Sequence, residues 1–398
     1  MDAVEILENT DKIFPCFQPV FSADEHQVIG YEVLGRIQSG SQALSLEPFL
    51  NDPDIPDEYR IEVENIILER ALFQLGAASD SVLFFIHRDP DLLMQDHGEG
   101  FLGILKQHLP DRLDKIVLEI SEANYSGELD PLYHMLAYFR TYGIGVAIGN
   151  LGEKSHMERI AKLSPHILKI NFETMRNSGG QNDLLYPVKM LARKMGAALL
   201  FEGIENNYDM HYAWKNGGRY YQGAYLHAPI VHLVERNILR DKFKEEFHEF
   251  ILLEKNKLEK VYEITMNFQT RLAELLAKFK RRQAGTELLQ ALAVELEAMC
   301  FRLYICDEEG FQKSPNLFRT DGSWIIQEEY RSKNWSWRPY FLENIIKMRH
   351  EKKGFLSDVY SDIETGETIR TFSYPLSGED FLFLDLSYSF LYEHDVLL

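Results

Sequence analysis

The chain has 398 residues, and 62 Asp+Glu against 42 Lys+Arg give it a formal charge of −20. A hydrophobic content of 45% and a charged content of 26% exclude a largely disordered chain. The acidity excludes a broad DNA-binding surface, which needs a net basic face, although one local Arg or Lys still suffices for a small phosphate ligand.

A chain of this length predicts two or three domains. It opens on MDAVEILENTDKIF, which is acidic and lacks the basic start and apolar core of a signal peptide. From Phe14 to Pro229, β-rich runs alternate with amphipathic segments such as EYRIEVENIILERALFQL. The runs are FPCFQPVF, VIGYEVLGR, SVLFFIH, KIVLEI, GVAIG, HILKI, AALLF and RYYQG. About eight strands with intervening helices predict an α/β barrel of the (β/α)8 kind. The first two runs are joined by SADEHQ, which predicts a hairpin and a barrel that is not all-parallel.

Between Val231 and Ala284 there is no Pro and no Gly, which predicts a long helix. Leu258, Val261, Thr265, Phe268, Leu272, Leu275 and Phe279 alternate at spacings of three and four, a seam for a partner helix or for packing within the chain. After it, ELLQALAVELEAM reads as a helix. FRLYICDEEGFQ, SWIIQEEY, WSWRPYFLENIIKMR, GFLSDVYSDIETGETIRTFSYPL and DFLFLDLSY read as strands with turns, together a small antiparallel sheet with a few helices. Three cysteines, Cys16, Cys300 and Cys306, make no disulfide framework, so a cytoplasmic protein is expected. No apolar run approaches the ~18 residues of a membrane span.

Functional groups of such a barrel sit at the C-terminal ends of its strands. Those positions hold Glu32 and Arg36, His87, Glu119 and Glu122, Gly149 and Asn150, Lys169 and Asn171, Glu202 and Glu205, and Gln222. Carboxylates converging on one mouth make an oxygen-rich site for Mg²⁺ or a similar hard cation. Lys and Arg nearby suit a phosphate. In so acidic a chain a solvated loop face is the plainer reading of any one of these acids.

The order of the motifs narrows the choice. FQPVFSADEHQVIGYEVLGR resembles the opening of the EAL-domain family, with Glu32-Val33-Leu34 in place of Glu-Ala-Leu. VLEISE (Val117 to Glu122) resembles its LEITE segment, LKIN (Leu168 to Asn171) its KID segment, FEGIE (Phe201 to Glu205) its EGVE, and YQGAYLHAP (Tyr221 to Pro229) its QGY followed by Pro. Members of the family bind or hydrolyse cyclic di-GMP. The resemblance implies a TIM-like EAL barrel over residues 1–230 with an antiparallel first strand, a linker helix over 231–284 and a further domain over 285–398. It implies ligand contacts at Gln18, Leu34, Arg36, Glu205 and Gln222, metal contacts at Glu32, Glu119 and Glu202, and an assisting Lys169.

The departures fall on that machinery. The family's metal-binding Asn falls on His87, its two consecutive aspartates on Gly149 and Asn150, and the Asp of KID on Asn171. Gly149 offers no side-chain ligand, Asn150 no charge, and His87 an imidazole that suits transition metals better than Mg²⁺. The two-cation clamp that stabilises both reacting oxygens is thereby lost. One cation on the remaining glutamates, or a Glu32, Glu119 and His87 triad, stays open. The expectation is a non-catalytic cyclic di-GMP signalling protein, the alternatives being an active metal-dependent phosphodiesterase and a scaffold that no longer binds nucleotide.

The C-terminal stretches WSWRPYF, SDVYSDIETGE and LFLDL resemble PAS and Cache sensory domains of α+β architecture. That resemblance implies a pocket for an unknown small ligand at Arg338, Tyr340 and Asp362, with Trp335, Trp337, Tyr360 and Asp385 around it. The plainer reading is core packing, with Arg338 bonding a local acid. A homodimer is expected through the helical seam.

Overall fold

The structure is a computed structural model describing residues 3–75, 82–151, 155–177, 185–279, 285–338 and 341–397. The chain divides into two units, Met1–Phe250 and Ile251–Leu398.

In the first unit, strands β1 (Ile13–Ser22), β2 (Gln27–Ser39), β4 (Leu83–His87), β5 (Ile116–Ser121), β6 (Gly145–Gly149), β7 (Ile167–Asn171), β8 (Ala198–Glu202) and β9 (Gly218–Tyr221) close into a barrel, and the short β3 (Gln42–Ser45) hangs on β2. β1 runs antiparallel to both its neighbours, β2 and β9. From β2 through β4 to β9 the neighbours are parallel. The hairpin start predicted this reversal. β5 is buried along its whole length, as a strand covered on both faces must be, and so reads as a nearly continuous apolar run. The β3 strand was not foreseen: QALS is only four residues long, and its pairing with β2 makes it a strand.

In the second unit, an antiparallel sheet has the order β12 (Ser323–Gln327), β11 (Asn316–Thr320), β10 (Cys300–Asp307), β16 (Asp380–Leu386), β15 (Thr368–Pro375), β13 (Phe355–Leu356), with β14 (Tyr360–Ser361) also on β15. One face, with Leu303, Ile305, Leu382 and Leu384, joins helices Arg240–Phe279 and Gly285–Glu295 in a core. The opposite face carries Tyr304, Cys306, Phe381 and Phe383 against Phe341, Ile345 and Met348.

That second layer corrects the sequence reading. WSWRPYFLENIIKMR is not a strand run; Phe341–Glu351 is a helix. Its buried positions Phe341, Asn344, Ile345 and Met348 follow the i, i+3, i+4, i+7 stripe of a helix with one face on a sheet. Packing of that stripe on the sheet decides the helix, because tertiary burial outweighs local preference.

The long helix is also shorter than expected, beginning at Arg240. Phe243, Phe247 and Phe250 at its start belong to the barrel's core. Phe268, Leu272 and Leu275 are buried in the second unit's own core, while Leu258 is 70% exposed. The C-terminal half of the predicted seam is thus consumed inside the chain and is not available to a partner helix. No described helix is long and apolar enough to cross a membrane.

Candidate functional site

Alternation along the strands builds the floor and the mouth of the barrel together. Val20, Ile29, Phe85, Val117, Ala147, Ile167 and Leu200 form a buried apolar layer inside it. Two residues further along β4 to β8, the same inward direction falls on His87, Glu119, Gly149, Lys169 and Glu202. Asn171 follows Lys169 by the same period, and the β1–β2 register sets Gln18 opposite Glu32.

Above this layer lies a cavity of about 410 Å³ lined by Gln18, Glu32, Leu34, Arg36, His87, Glu119, Asn150, Asn171, Glu202, Glu205 and Gln222. Every barrel residue singled out as ligand- or metal-binding from sequence reaches it. Lys169 does not line it, being buried beneath with an exposure of 1%.

Lys169 organises the carboxylates. Its Nζ lies 2.6 and 2.7 Å from the two oxygens of Glu119, 2.9 Å from Glu202 Oε2 and 3.2 Å from Glu32 Oε2. Gln222 Nε2 donates to Glu32 Oε2, and to Gln18 Oε1 at 3.1 Å. Asn171 Nδ2 donates to Glu202 Oε1 at 3.1 Å, while its Oδ1 accepts from the backbone N–H of Glu173 at 2.8 Å at the start of helix Phe172–Asn177.

Three carboxylates thus face one ammonium. Burial, with the charges of Glu32 and Glu202, pushes Glu119 up to about 8 against the pull of Lys169. Burial opposes ionisation of Glu32 too, but Lys169, Gln222 and His87 together hold it below the usual carboxylate range. Lys169 is held well above its ordinary range: burial works against its charge, and Glu119, Glu202 and Glu32 outweigh it. The cluster is short of positive charge, the state that a hard cation relieves.

Among the described residues, no group of three His, Cys, Asp or Glu side chains is spaced to hold a metal ion, because the ammonium of Lys169 sits at the point where the glutamates converge. The Glu32, Glu119 and His87 triad is therefore not assembled. At Gly149 an added Cβ would stand 2.8 Å from Glu119 Oε1, so any side chain there displaces the carboxylate that Lys169 holds.

The rim is fixed by local chemistry. Arg36 Nη1 donates at 2.9 Å to Ser45 Oγ, its cross-strand neighbour on β3, and at 2.9 Å to Gly35 O. The unforeseen strand thus aims the guanidinium. Glu205 pairs with Arg176 at 2.9 Å, and Asp209 holds the turn by accepting from Glu205 N at 3.0 Å and Arg176 Nη2 at 2.6 Å. Glu122, at the end of β5, points away from the cavity. It is buried against Arg159 Nε at 2.7 Å and accepts from His156 N at 3.2 Å, which ties the chain after β6 to β5.

Sequence reasoning missed Arg88, which lines the cavity although only 4% exposed. Its Nη1 bonds Glu64 at 2.7 Å and its Nη2 bonds Asn65 at 3.0 Å. The available signal was an arginine directly after a strand-end residue; its partners lie on helix Asp57–Leu75, whose register against β4 only the fold reveals.

The sequence pattern of the EAL domain matches residues 3–229, and that of an EAL-domain associated signalling protein domain matches residues 233–398. The chain belongs to the EAL-domain family. An uncharacterized EAL-domain containing protein of Bacillus subtilis (strain 168), YkuI, is 49% identical over 406 residues, covering 100% of both chains. The crystal structure of B. subtilis YkuI, in complex with substrate cyclic di-GMP and calcium, superposes with a TM-score of 0.96 over 100% of both chains. An EAL-domain protein from Listeria monocytogenes EGD-e, 19% identical, covers 58% of this chain and 94% of its own at a TM-score of 0.50, a likeness of fold.

In the second unit of this EAL-domain protein, Asp362 is buried and engaged: Arg302 Nη2 donates to it at 2.8 Å and Nη1 at 3.1 Å. Arg302, which the sequence reading did not single out, also donates to Asp385 at 3.0 Å. Arg338 is buried, with its guanidinium 4.5 Å from the Trp335 ring centre, whereas Trp337 is 59% exposed. Tyr340 lies outside the described residues.

Proposed function

We propose that this protein binds cyclic di-GMP at the barrel mouth and signals its presence without hydrolysing it. The observation that carries this reading is the position of Lys169: its ammonium occupies the centre of the glutamates, and Gly149 leaves no side chain for a second cation. Support for binding comes from YkuI, 49% identical, whose structure holds cyclic di-GMP with calcium. Arg36 offers a charged fork to a phosphate, Gln18 and Gln222 offer amides, Glu205 accepts from a guanine edge, and Leu34 supplies an apolar contact. Lys169 acts as a resident counter-ion in place of a catalytic base.

One divalent cation fits the charge of the site. Glu32 and Glu202 would hold it beside Lys169, and it would screen the dianionic ligand from the glutamates. The reading is tested by calorimetric titration of cyclic di-GMP with Mg²⁺ or Ca²⁺ and with EDTA, followed by product analysis of the same sample. Binding that EDTA weakens, with no linear product above a Glu32→Ala control, is expected. Metal-dependent turnover would establish the phosphodiesterase reading instead, and no binding at high micromolar ligand would leave a scaffold. Within a binder, Arg36→Ala should lose on the order of 1.5–3 kcal/mol, the range for a hydrogen bond to a charged group, while Lys162→Ala, outside the cavity, leaves affinity unchanged.

We further read the second unit as a sensory domain of PAS or Cache type; its sheet, layered by helices on both faces, supports that reading.

A further inference from the structure

The second unit's sheet carries polar groups where its packing calls for carbon. On the face covered by helix Phe341–Glu351, the strand register places Phe355, Ser373, Phe383 and Tyr304 in one row. Tyr304 stacks on Phe383 with ring centres 5.3 Å apart, and Phe341 of the helix stacks on Phe383 at the same distance of 5.3 Å. Ser373 interrupts this aromatic row. It is 0% exposed, and its Oγ meets no hydrogen-bond partner among the described residues.

The helix that covers the row packs on β15, the strand carrying Ser373. Its inward stripe is apolar except for Asn344, which is 7% exposed and whose Nδ2 likewise meets no partner among the described residues. Native interiors pair nearly all buried polar groups. Ser373 and Asn344 place two such groups, without partners among the described residues, in a single layer. Arg338, buried over Trp335, supplies positive charge to the same layer, where it acts on Cys306 and Asp385.

The neighbouring row shows the contrast. There Arg302, Asp362 and Asp385 bond one another, and Thr371 Oγ1 donates to Asp385 at 2.6 Å. That network is bonded internally except at Arg302 Nε, which meets no partner among the described residues; Asp362 belongs to it.

We propose that the layer between helix Phe341–Glu351 and β15 binds a small monocarboxylate with an apolar body. The Ser373 hydroxyl and the Asn344 amide N–H are both donors, which suits an oxyanion. Arg338 balances its charge, and the rings of Phe341, Phe383 and Tyr304 take the hydrocarbon part. The proposal stands apart from the barrel and from cyclic di-GMP.

The test uses the full chain and follows thermal unfolding with benzoate and propionate as probes, and benzamide as the uncharged control. A saturable rise in the unfolding temperature with at least one carboxylate and none with benzamide is expected. Ser373→Ala and Asn344→Leu should each weaken that carboxylate at least tenfold. Without ligand, Ser373→Ala should unfold no earlier than the parent chain, since it removes a hydroxyl that meets no partner among the described residues, so a folding defect cannot mimic lost binding. No shift with either carboxylate overturns the proposal, and so does a shift that survives in both variants or an equal shift with benzamide.

Discussion

Lys169→Met should destabilise the barrel by about 3–5 kcal/mol in EDTA, the cost of removing one partner from a buried ion pair. Three carboxylates, on β2, β5 and β8, would then face one another at the barrel mouth with no counter-ion. The loss should be largely recovered by millimolar Mg²⁺ or Ca²⁺, because the space vacated by the ammonium lies between anionic oxygens. Urea denaturation with and without the ions measures both effects. A variant as stable as the parent in EDTA would show that the glutamates are not held by Lys169. A variant that divalent ions fail to rescue would show that the cluster accepts no cation even when its ammonium is gone. Methionine matches the length and apolar stem of lysine, so packing is disturbed little.

The second large effect is on pH. Glu119 is pushed from 4.5 to about 8 in the folded protein. Below the unfolded value both states hold the proton and nothing changes. Between the two values the unfolded chain has lost the proton while the folded one keeps it, so stability falls as pH rises through that window and levels off above it. At ~1.4 kcal/mol per pH unit for one proton, the fall across the window is on the order of 5 kcal/mol. Glu32 is shifted the other way, and its contribution is lost only on the acid side, as pH falls through its lowered range. Glu119→Gln should therefore match the parent near pH 4.5, exceed it at pH 8 and show a flat profile between. Denaturation midpoints at the two pH values decide it, and a parent profile that is itself flat from pH 5 to 8 in EDTA would remove Glu119 as the proton-holding group. A divalent cation should flatten the parent profile as well.

Much of the barrel was legible because its signal is local. Strands β1, β2 and β4 to β9 are short apolar runs between turn residues, and the C-terminal ends of such strands point to Glu32, His87, Glu119, Lys169 and Glu202 without any structure. The reversal of β1 was carried by one polar hairpin. These features depend on what each residue does to its neighbours in the chain.

What the tertiary structure decided depends on residues far apart. Lys169 is 50 residues from Glu119 and 137 from Glu32, and no spacing rule says that its ammonium will sit among their oxygens. The same holds for Arg88 with Glu64 and for Arg302 with Asp362 and Asp385. Strand β3 is four residues long, so only pairing with β2 creates it, and with it the Ser45 that aims Arg36. In Phe341–Glu351 burying Phe341, Ile345 and Met348 on one side of a helix covers a sheet face, and that tertiary burial outweighs local preference. The sequence by itself determined which groups stand at the barrel mouth, since alternation along a strand is a property of the backbone. Which of them neutralises which was decided by closure of the barrel, because electrostatic partners are set by distance in space.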